Sequence, residues 1–150
     1  MTLAKIVYGS LTGNTEEIAD IVCQALEKLG IEVEIDECTQ VDADHFNDAD
    51  ICIVAAYTYS EGSIPEELLD IYDDIEELDL TGKVFGVCGS GDSFYDYFAG
   101  AVDDFEAAFI TSGATKGAAS VKVDLAAKAE DISHLETFAK KLVQKHQNLT

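Results

Sequence analysis

The sequence predicts an α/β protein: a doubly wound five-stranded parallel sheet with helices on both faces. Three observations carry this prediction. Short β-rich apolar runs alternate with longer segments of helical period along the chain. Two of the runs, Ile51 to Ala56 and Val84 to Cys88, are continuously apolar, as expected of central parallel strands covered on both sides. The connections are short, with no linker, repeat or low-complexity stretch, which suits right-handed crossovers within one domain spanning residues 1–150.

Taken in order, Leu3 to Tyr8 reads as the first strand. Ile18, Ala19, Val22, Ala25, Leu26 and Leu29 then recur at helical spacing and stop at Gly30. Asn14 and Glu17 have capping-box separation, which places the helix start inside the run SLTGNT at 10–15. Glu32 to Glu37 alternates acidic residues with Val33 and Ile35, the pattern of a half-exposed edge strand. Leu68, Leu69, Tyr72, Ile75 and Leu78 mark a helix begun at Pro65, a residue favoured in a first turn. Phe98, Ala101, Val102, Phe105, Ala108 and Phe109 form another apolar stripe, closed by Ser112 and Gly113. Thr115 to Val123 reads as one small-residue strand, and Ile132, Leu135, Phe138, Leu142 and Val143 as the last helix. The sum is five βα units.

At 150 residues the chain is large enough to bury a single core, and its 47% apolar content is that of a globular protein despite the acidity. Thirty Asp and Glu against nine basic residues give a formal charge of −21. Such a charge repels nucleic acid and anionic membrane and favours partners with basic faces, met rapidly and in a salt-sensitive way. It also serves solubility, and charge alone does not separate the two uses. The N-terminal MTLAKIVYGS reaches glycine too early for a secretory apolar region, and no run approaches membrane-spanning length. Cys23, Cys38, Cys52 and Cys88 lack C-x-x-C spacing and suit free, mostly buried thiols in a reducing cytoplasm. His45, His134 and His146 are scattered, without metal-ligand spacing. The acceptor pattern at Asn148 to Thr150 has no secretory signal to give it meaning.

Ligands of doubly wound sheets bind beyond the C-terminal strand ends, at the switch point. Three loops should meet there: Ser10 to Thr15, Tyr57 to Ser63 and Gly89 to Tyr97. The first offers Ser10, Thr12, Asn14 and Thr15 around Gly13 at a helix start, where unpaired N–H groups and a partial positive charge can hold an anion. It contains no Lys or Arg, so it lacks the lysine of a nucleoside triphosphate loop and suits one phosphate monoester. The second reads YTYSEGS and the third GSGDSFYDYF; aromatics carried on loops suit a flat ligand held between rings. Each piece has a plainer reading. SLTGNT serves equally as a capped helix start, GSGDS is common turn composition, and Tyr59 or Tyr95 alone would cover a core edge. Together, at successive strand ends, the three loops point to a ligand site.

These stretches, with the continuation GDSFYDYFAGAVDDFE, resemble the flavodoxin family over essentially the whole chain, in its short-chain class. The resemblance implies strand order 2-1-3-4-5 and non-covalently bound FMN. Flavodoxins are themselves an illustration of the switch-point rule, with FMN between the first and third strands, so that placement comes from the resemblance. By the same resemblance Ser10, Leu11, Thr12, Gly13, Asn14 and Thr15 would wrap the FMN phosphate. Tyr95 would stack on the outer flavin face, with Phe98 buttressing its loop. Thr58, Tyr59 and Ser60 would line the inner side, with Tyr59 in the place of an aromatic that is often tryptophan. Ser90, Gly91 and Asp92 would meet the ring edge. Ser60 stands where many relatives carry a glycine whose peptide turns toward reduced flavin N5. A left-handed turn costs a non-glycine residue about 1 kcal/mol, so the half-reduced flavin should be less favoured here, unless Gly62 supplies the freedom instead.

The implied function is a low-potential one-electron carrier, not an enzyme: a cytoplasmic monomer moving electrons from a reductase donor to an enzyme acceptor. Glu61, Glu66, Glu67 and Asp96 are candidate docking carboxylates for basic partner faces. A phosphoacceptor receiver domain would share the topology. It would need an acidic pair after the first strand and an Asp after the third, where this chain has Gly9, Ser10, Ala56 and Tyr57. A flavoprotein dedicated to one enzyme would share every motif. An FMN reductase would need a nicotinamide site, for which the chain is short and poor in basic residues.

Overall fold

Six parallel strands form one sheet in the computed structural model, which describes residues 2–9, 13–58, 64–92 and 99–149. They are β1 (Leu3–Tyr8), β2 (Glu32–Glu37), β3 (Ile51–Tyr57), β4 (Val84–Gly91), β5 (Thr115–Lys116) and β6 (Val121–Asp124). Four helices accompany them: α1 (Asn14–Lys28), α2 (Glu66–Glu77), α3 (Gly100–Thr111) and α4 (Ala129–Leu149). The order is β2-β1-β3-β4, with β5 and β6 both paired to the outer side of β4. This is the expected 2-1-3-4-5 order with its fifth strand divided.

The apolar runs of the central strands feed two cores, because alternate side chains of a strand point to opposite faces. Ile51, Ile53 and Ala55 of β3 pack with Ile6, Ile18, Val22 and Leu26 on the side covered by α1 and α4. Cys52, Val54 and Ala56 pack with Leu68, Ile75, Phe105 and Phe109 on the side of α2 and α3. There Phe85 stacks on Phe109 at 5.0 Å, and Phe46 meets Phe109 edge-on at 5.7 Å. Cys52 and Cys88 are fully buried, and burial pushes both thiols up to about 12. All four cysteines are free.

Four local features differ from the sequence reading. The link from β2 to β3 carries a six-residue 3₁₀ helix, Ala43–Asp48, in place of a full α-helix. The segment expected as one strand from Thr115 to Val123 is interrupted over Gly117–Ser120, where small residues give no pleat to follow. Asn14 does not cap α1. The cap is Gly13, in the left-handed region at φ +90°, and Asn14 is the first helical residue. The Gly13 carbonyl accepts the Glu17 N–H at 3.0 Å, and glycine itself has no side chain with which to cap the helix. Pro65 is the residue before α2, where its fixed φ suits helix entry and its missing N–H is not needed.

Candidate functional site

The strand register brings the ends of β1, β3 and β4 to one edge: Tyr8 stands opposite Ala55, and Tyr57 opposite Ser90. Gly9 extends this order past β1, its N–H bonded to Ala55 O at 3.1 Å. Close approach of β3 to β4 depends on Gly89, since a Cβ there would lie 2.0 Å from the Ala56 carbonyl oxygen.

The chain beyond these ends is tied together by specific hydrogen bonds. The buried hydroxyls of Thr15, at the start of α1, and Ser90, near the end of β4, lie 2.7 Å apart. The Thr58 N–H reaches Ser90 O at 3.1 Å, and the Thr58 hydroxyl accepts the Ala101 N–H at 3.1 Å. Thr58 thus satisfies a first-turn donor of α3, one that a helix leaves without an internal acceptor. On the far side, the Leu125 N–H bonds to Gly91 O at 2.8 Å. Leu125 is held at φ +60°, a conformation costly to a residue with a Cβ, and its side chain is 53% exposed.

Asn14, Tyr57, Thr58, Ser90, Gly91 and Asp92, with Leu125, line one recess of about 130 Å³ among the described residues. Of the residues expected at the site, the structure therefore brings together Asn14, Thr58, Ser90, Gly91 and Asp92. Gly13 sits one residue before α1, and Thr15 one residue inside it. The Thr15 side chain turns into the protein toward Ser90, so what it offers a ligand is its backbone N–H. Ser10, Leu11, Thr12, Tyr59, Ser60, Tyr95 and Phe98 lie outside the described residues, as do Glu61 and Asp96. Leu125 is an addition to the set that the sequence pattern points to. It belongs to a fourth loop, after β6, that reaches the same sheet edge.

The surroundings of the recess are acidic. The Tyr57 hydroxyl donates to Glu67, and the Tyr8 hydroxyl to Glu16 at 3.4 Å. Burial and the charges of Glu16, Glu37 and Asp20 raise the Tyr8 hydroxyl above its ordinary value. Glu37, Cys38 and Glu67 bring potential ligand atoms within 4.8 Å of one another. Hydrogen bonds account for much of that approach, since Glu37 accepts from the Thr39 hydroxyl and, at 3.2 Å, from the Cys38 thiol. Burial and Glu37 push the Cys38 thiol up to about 12, opposite to what a metal-binding thiolate needs. The first-turn N–H groups of α1, led in by left-handed Gly13 and bordered by the Asn14 amide, form a donor set suited to a phosphorylated ligand without a basic side chain.

The flavodoxin family model matches residues 6–138. A probable flavodoxin 2 of Bacillus subtilis (strain 168) is 38% identical over 146 residues, covering 95% of this chain and 97% of its own length. A solved flavodoxin from Streptococcus pneumoniae TIGR4 is 58% identical with a TM-score of 0.94, over 96% of this chain and 99% of that one. A solved short-chain flavodoxin is 52% identical with a TM-score of 0.96, over 97% of this chain and 99% of that one. The chain belongs to the flavodoxin family. Membership makes it an FMN-binding electron-transfer protein that works with redox partners, without a substrate turned over on its own account. No helix among the described residues is long and apolar enough to cross a membrane.

Proposed function

We propose that this chain is a low-potential one-electron carrier whose FMN sits over the recess bordered by Asn14, Thr58, Ser90, Gly91, Asp92 and Leu125. The observation that carries this reading is the convergence of the α1 start, the β3 end and the β4 end on one recess, joined by the Thr15–Ser90 and Thr58–Ser90 hydrogen bonds. The flavin supplies the redox chemistry, and the protein supplies position and electrostatics. The first-turn N–H groups of α1, with Ser10 to Thr15, hold the phosphate. Thr58 and Ser90 to Asp92 border the ring edge. Tyr59 and Tyr95 cover its two faces, and Phe98 backs the Tyr95 loop.

Low potential follows from charge. Electron uptake adds negative charge among carboxylates, and each unit charge about 10 Å away opposes it by about 0.4 kcal/mol in a water-like medium. Salt weakens each term, but several carboxylates act together. Exposed Glu66 and Glu67 at the start of α2, with Glu61 and Asp96, form the face for basic partners. The protein works as a single domain and a monomer in the cytoplasm. The test is the visible spectrum after FMN addition, followed by anaerobic dithionite titration. One tightly held FMN per chain, reduced in two resolved one-electron steps at low potential, supports the proposal. Failure to retain FMN overturns it.

A further inference from the structure

Helix α3 begins at a residue that cannot cap it. Ala99 precedes the helix in the left-handed region at φ +50° and has no side-chain oxygen to offer. The N–H of buried Ala101, in the first turn, is one that a helix leaves without an internal acceptor. Its acceptor comes from 43 positions away: the Thr58 hydroxyl, at 3.1 Å, on the first residue past β3. A helix start is ordinarily capped by the residue just before it. Here the stem of another loop takes that place.

Thr58 grips β4 as well. Its N–H bonds to Ser90 O at 3.1 Å, and the next residue, Gly91, is where the chain leaves β4. The segment 92–98 joins Gly91 to Ala99, and these two residues are in contact. A Cβ on Gly91 would lie 2.8 Å from the Ala99 nitrogen and 3.2 Å from the Ala99 Cβ. The Gly91 carbonyl is held from its other side by the Leu125 N–H at 2.8 Å. A left-handed backbone is costly at Ala99, so its surroundings impose the close approach. Thr58 thus fastens both ends of the segment that carries Tyr95, the β4 exit by its N–H and the α3 entry by its hydroxyl. It is itself the stem of the segment that carries Tyr59.

We propose that Thr58 is a positioning residue of the electron carrier, setting the separation of the two loops that carry Tyr59 and Tyr95. This rests on the reading above, in which those tyrosines cover the two faces of one flavin. A cap that served α3 alone would leave the contribution of Tyr95 to FMN binding intact. A fastening makes the contributions of Thr58 and Tyr95 interdependent, because Tyr95 acts only while its loop is held at the right distance.

The test is a double-mutant cycle in FMN affinity, read by flavin fluorescence, on the parent, Thr58→Val, Tyr95→Ala and the double variant. Thr58→Val keeps the shape and removes the acceptor; Thr58→Ala is carried alongside, so the cycle does not hang on one folded variant. Losing the hydroxyl should weaken FMN binding about tenfold in the parent and less than about threefold in Tyr95→Ala. Thr58→Ser should restore most of the affinity. Equal factors in the two backgrounds would overturn the positioning role, since a part in folding or a separate flavin contact acts equally in both. In FMN-free protein, amide exchange at Ala101 should quicken about tenfold in Thr58→Val and stay slow in Thr58→Ser. Unchanged exchange there would overturn the fastening itself. A parent that fails to retain FMN would overturn the flavin reading and this role together, whereas equal factors in a parent that binds FMN overturn this role alone.

Discussion

Thr15 and Ser90 stand 75 positions apart in the chain, yet their buried hydroxyls share one hydrogen bond of 2.7 Å. It joins the first turn of α1 to the end of β4, so two of the segments that meet at the proposed flavin site rest on a common internal contact. Removing either hydroxyl leaves the other buried without its partner. Thr15→Val and Ser90→Ala should each cost about 1–3 kcal/mol. The double variant should cost clearly less than the sum of the two, because it leaves no orphan. Urea denaturation of the four proteins measures this, and strict additivity would show that the bond contributes nothing.

Two glycines are required for different reasons, and alanine separates them. At Gly89 a Cβ would lie 2.0 Å from the Ala56 carbonyl oxygen and 2.8 Å from Val102 Cγ2, so β3 and β4 must move apart. Gly89→Ala should destabilise by about 3 kcal/mol or more, at the upper end for overpacking. At Gly13 no described residue beyond its chain neighbours lies within 4 Å of such a Cβ, and the objection is the left-handed backbone. Gly13→Ala should cost about 1–2 kcal/mol. Chemical denaturation of the two FMN-free variants gives the comparison; equal losses would contradict it.

Leu125 combines a left-handed backbone with a place at the rim of the recess. Leu125→Gly should relieve the strain, leaving the FMN-free protein as stable as the parent or more stable by about 1 kcal/mol. The same change removes an apolar wall and should weaken FMN binding severalfold. Thermal melts without FMN, together with fluorescence titration of FMN, read the two effects separately. A variant that loses stability and keeps its affinity would make Leu125 a turn residue only.

Glu106 predicts a pH effect of definite sign. Burial pushes its carboxyl up, but hydrogen bonds from Lys116 and Ser120 outweigh this and hold it below its ordinary value of 4.5. A carboxylate with a depressed folded pKa adds stability above its unfolded value, and loses it as pH falls through the folded one. The parent should therefore shed this contribution below about pH 4.5. Glu106→Gln should melt lower than the parent at neutral pH and converge with it in acid. Parallel melting curves across that range would remove the Lys116–Glu106 contact from the account.

Residues whose local chemistry agrees with their place in the fold are legible in the amino-acid sequence itself. Ile51–Tyr57 and Val84–Gly91 lack charged residues because both faces of the sheet are covered, and Glu32–Glu37 alternates because one side meets water. The meeting of Asn14, Thr58, Ser90, Gly91 and Asp92 at one sheet edge is legible because they lie at or just beyond strand ends at a switch point. The break at Gly117–Ser120 is hidden, since small residues carry neither period nor strong propensity. Gly13 in place of Asn14 as the cap depends on a backbone angle that composition does not encode. Leu125 escapes notice because a leucine in the left-handed region has no local signature, and its loop follows a strand of weak pattern. Pairing across 75 residues, as in Thr15 and Ser90, is a product of topology and is visible only once the sheet is assembled.

The division of the outer strand also bears on how the protein behaves when crowded. A long, flat margin of a sheet presents free peptide groups on which another chain can stack and seed fibres. Here that margin is a two-residue stub, Thr115–Lys116, then an offset, then four residues, Val121–Asp124, too short and too irregular to serve as a template. The opposite margin, β2, places Glu32, Glu34, Asp36 and Glu37 among its six residues, so a second copy approaching there is repelled. One border is guarded by shape and the other by charge, which lets a carrier be held at high concentration without growing into filaments.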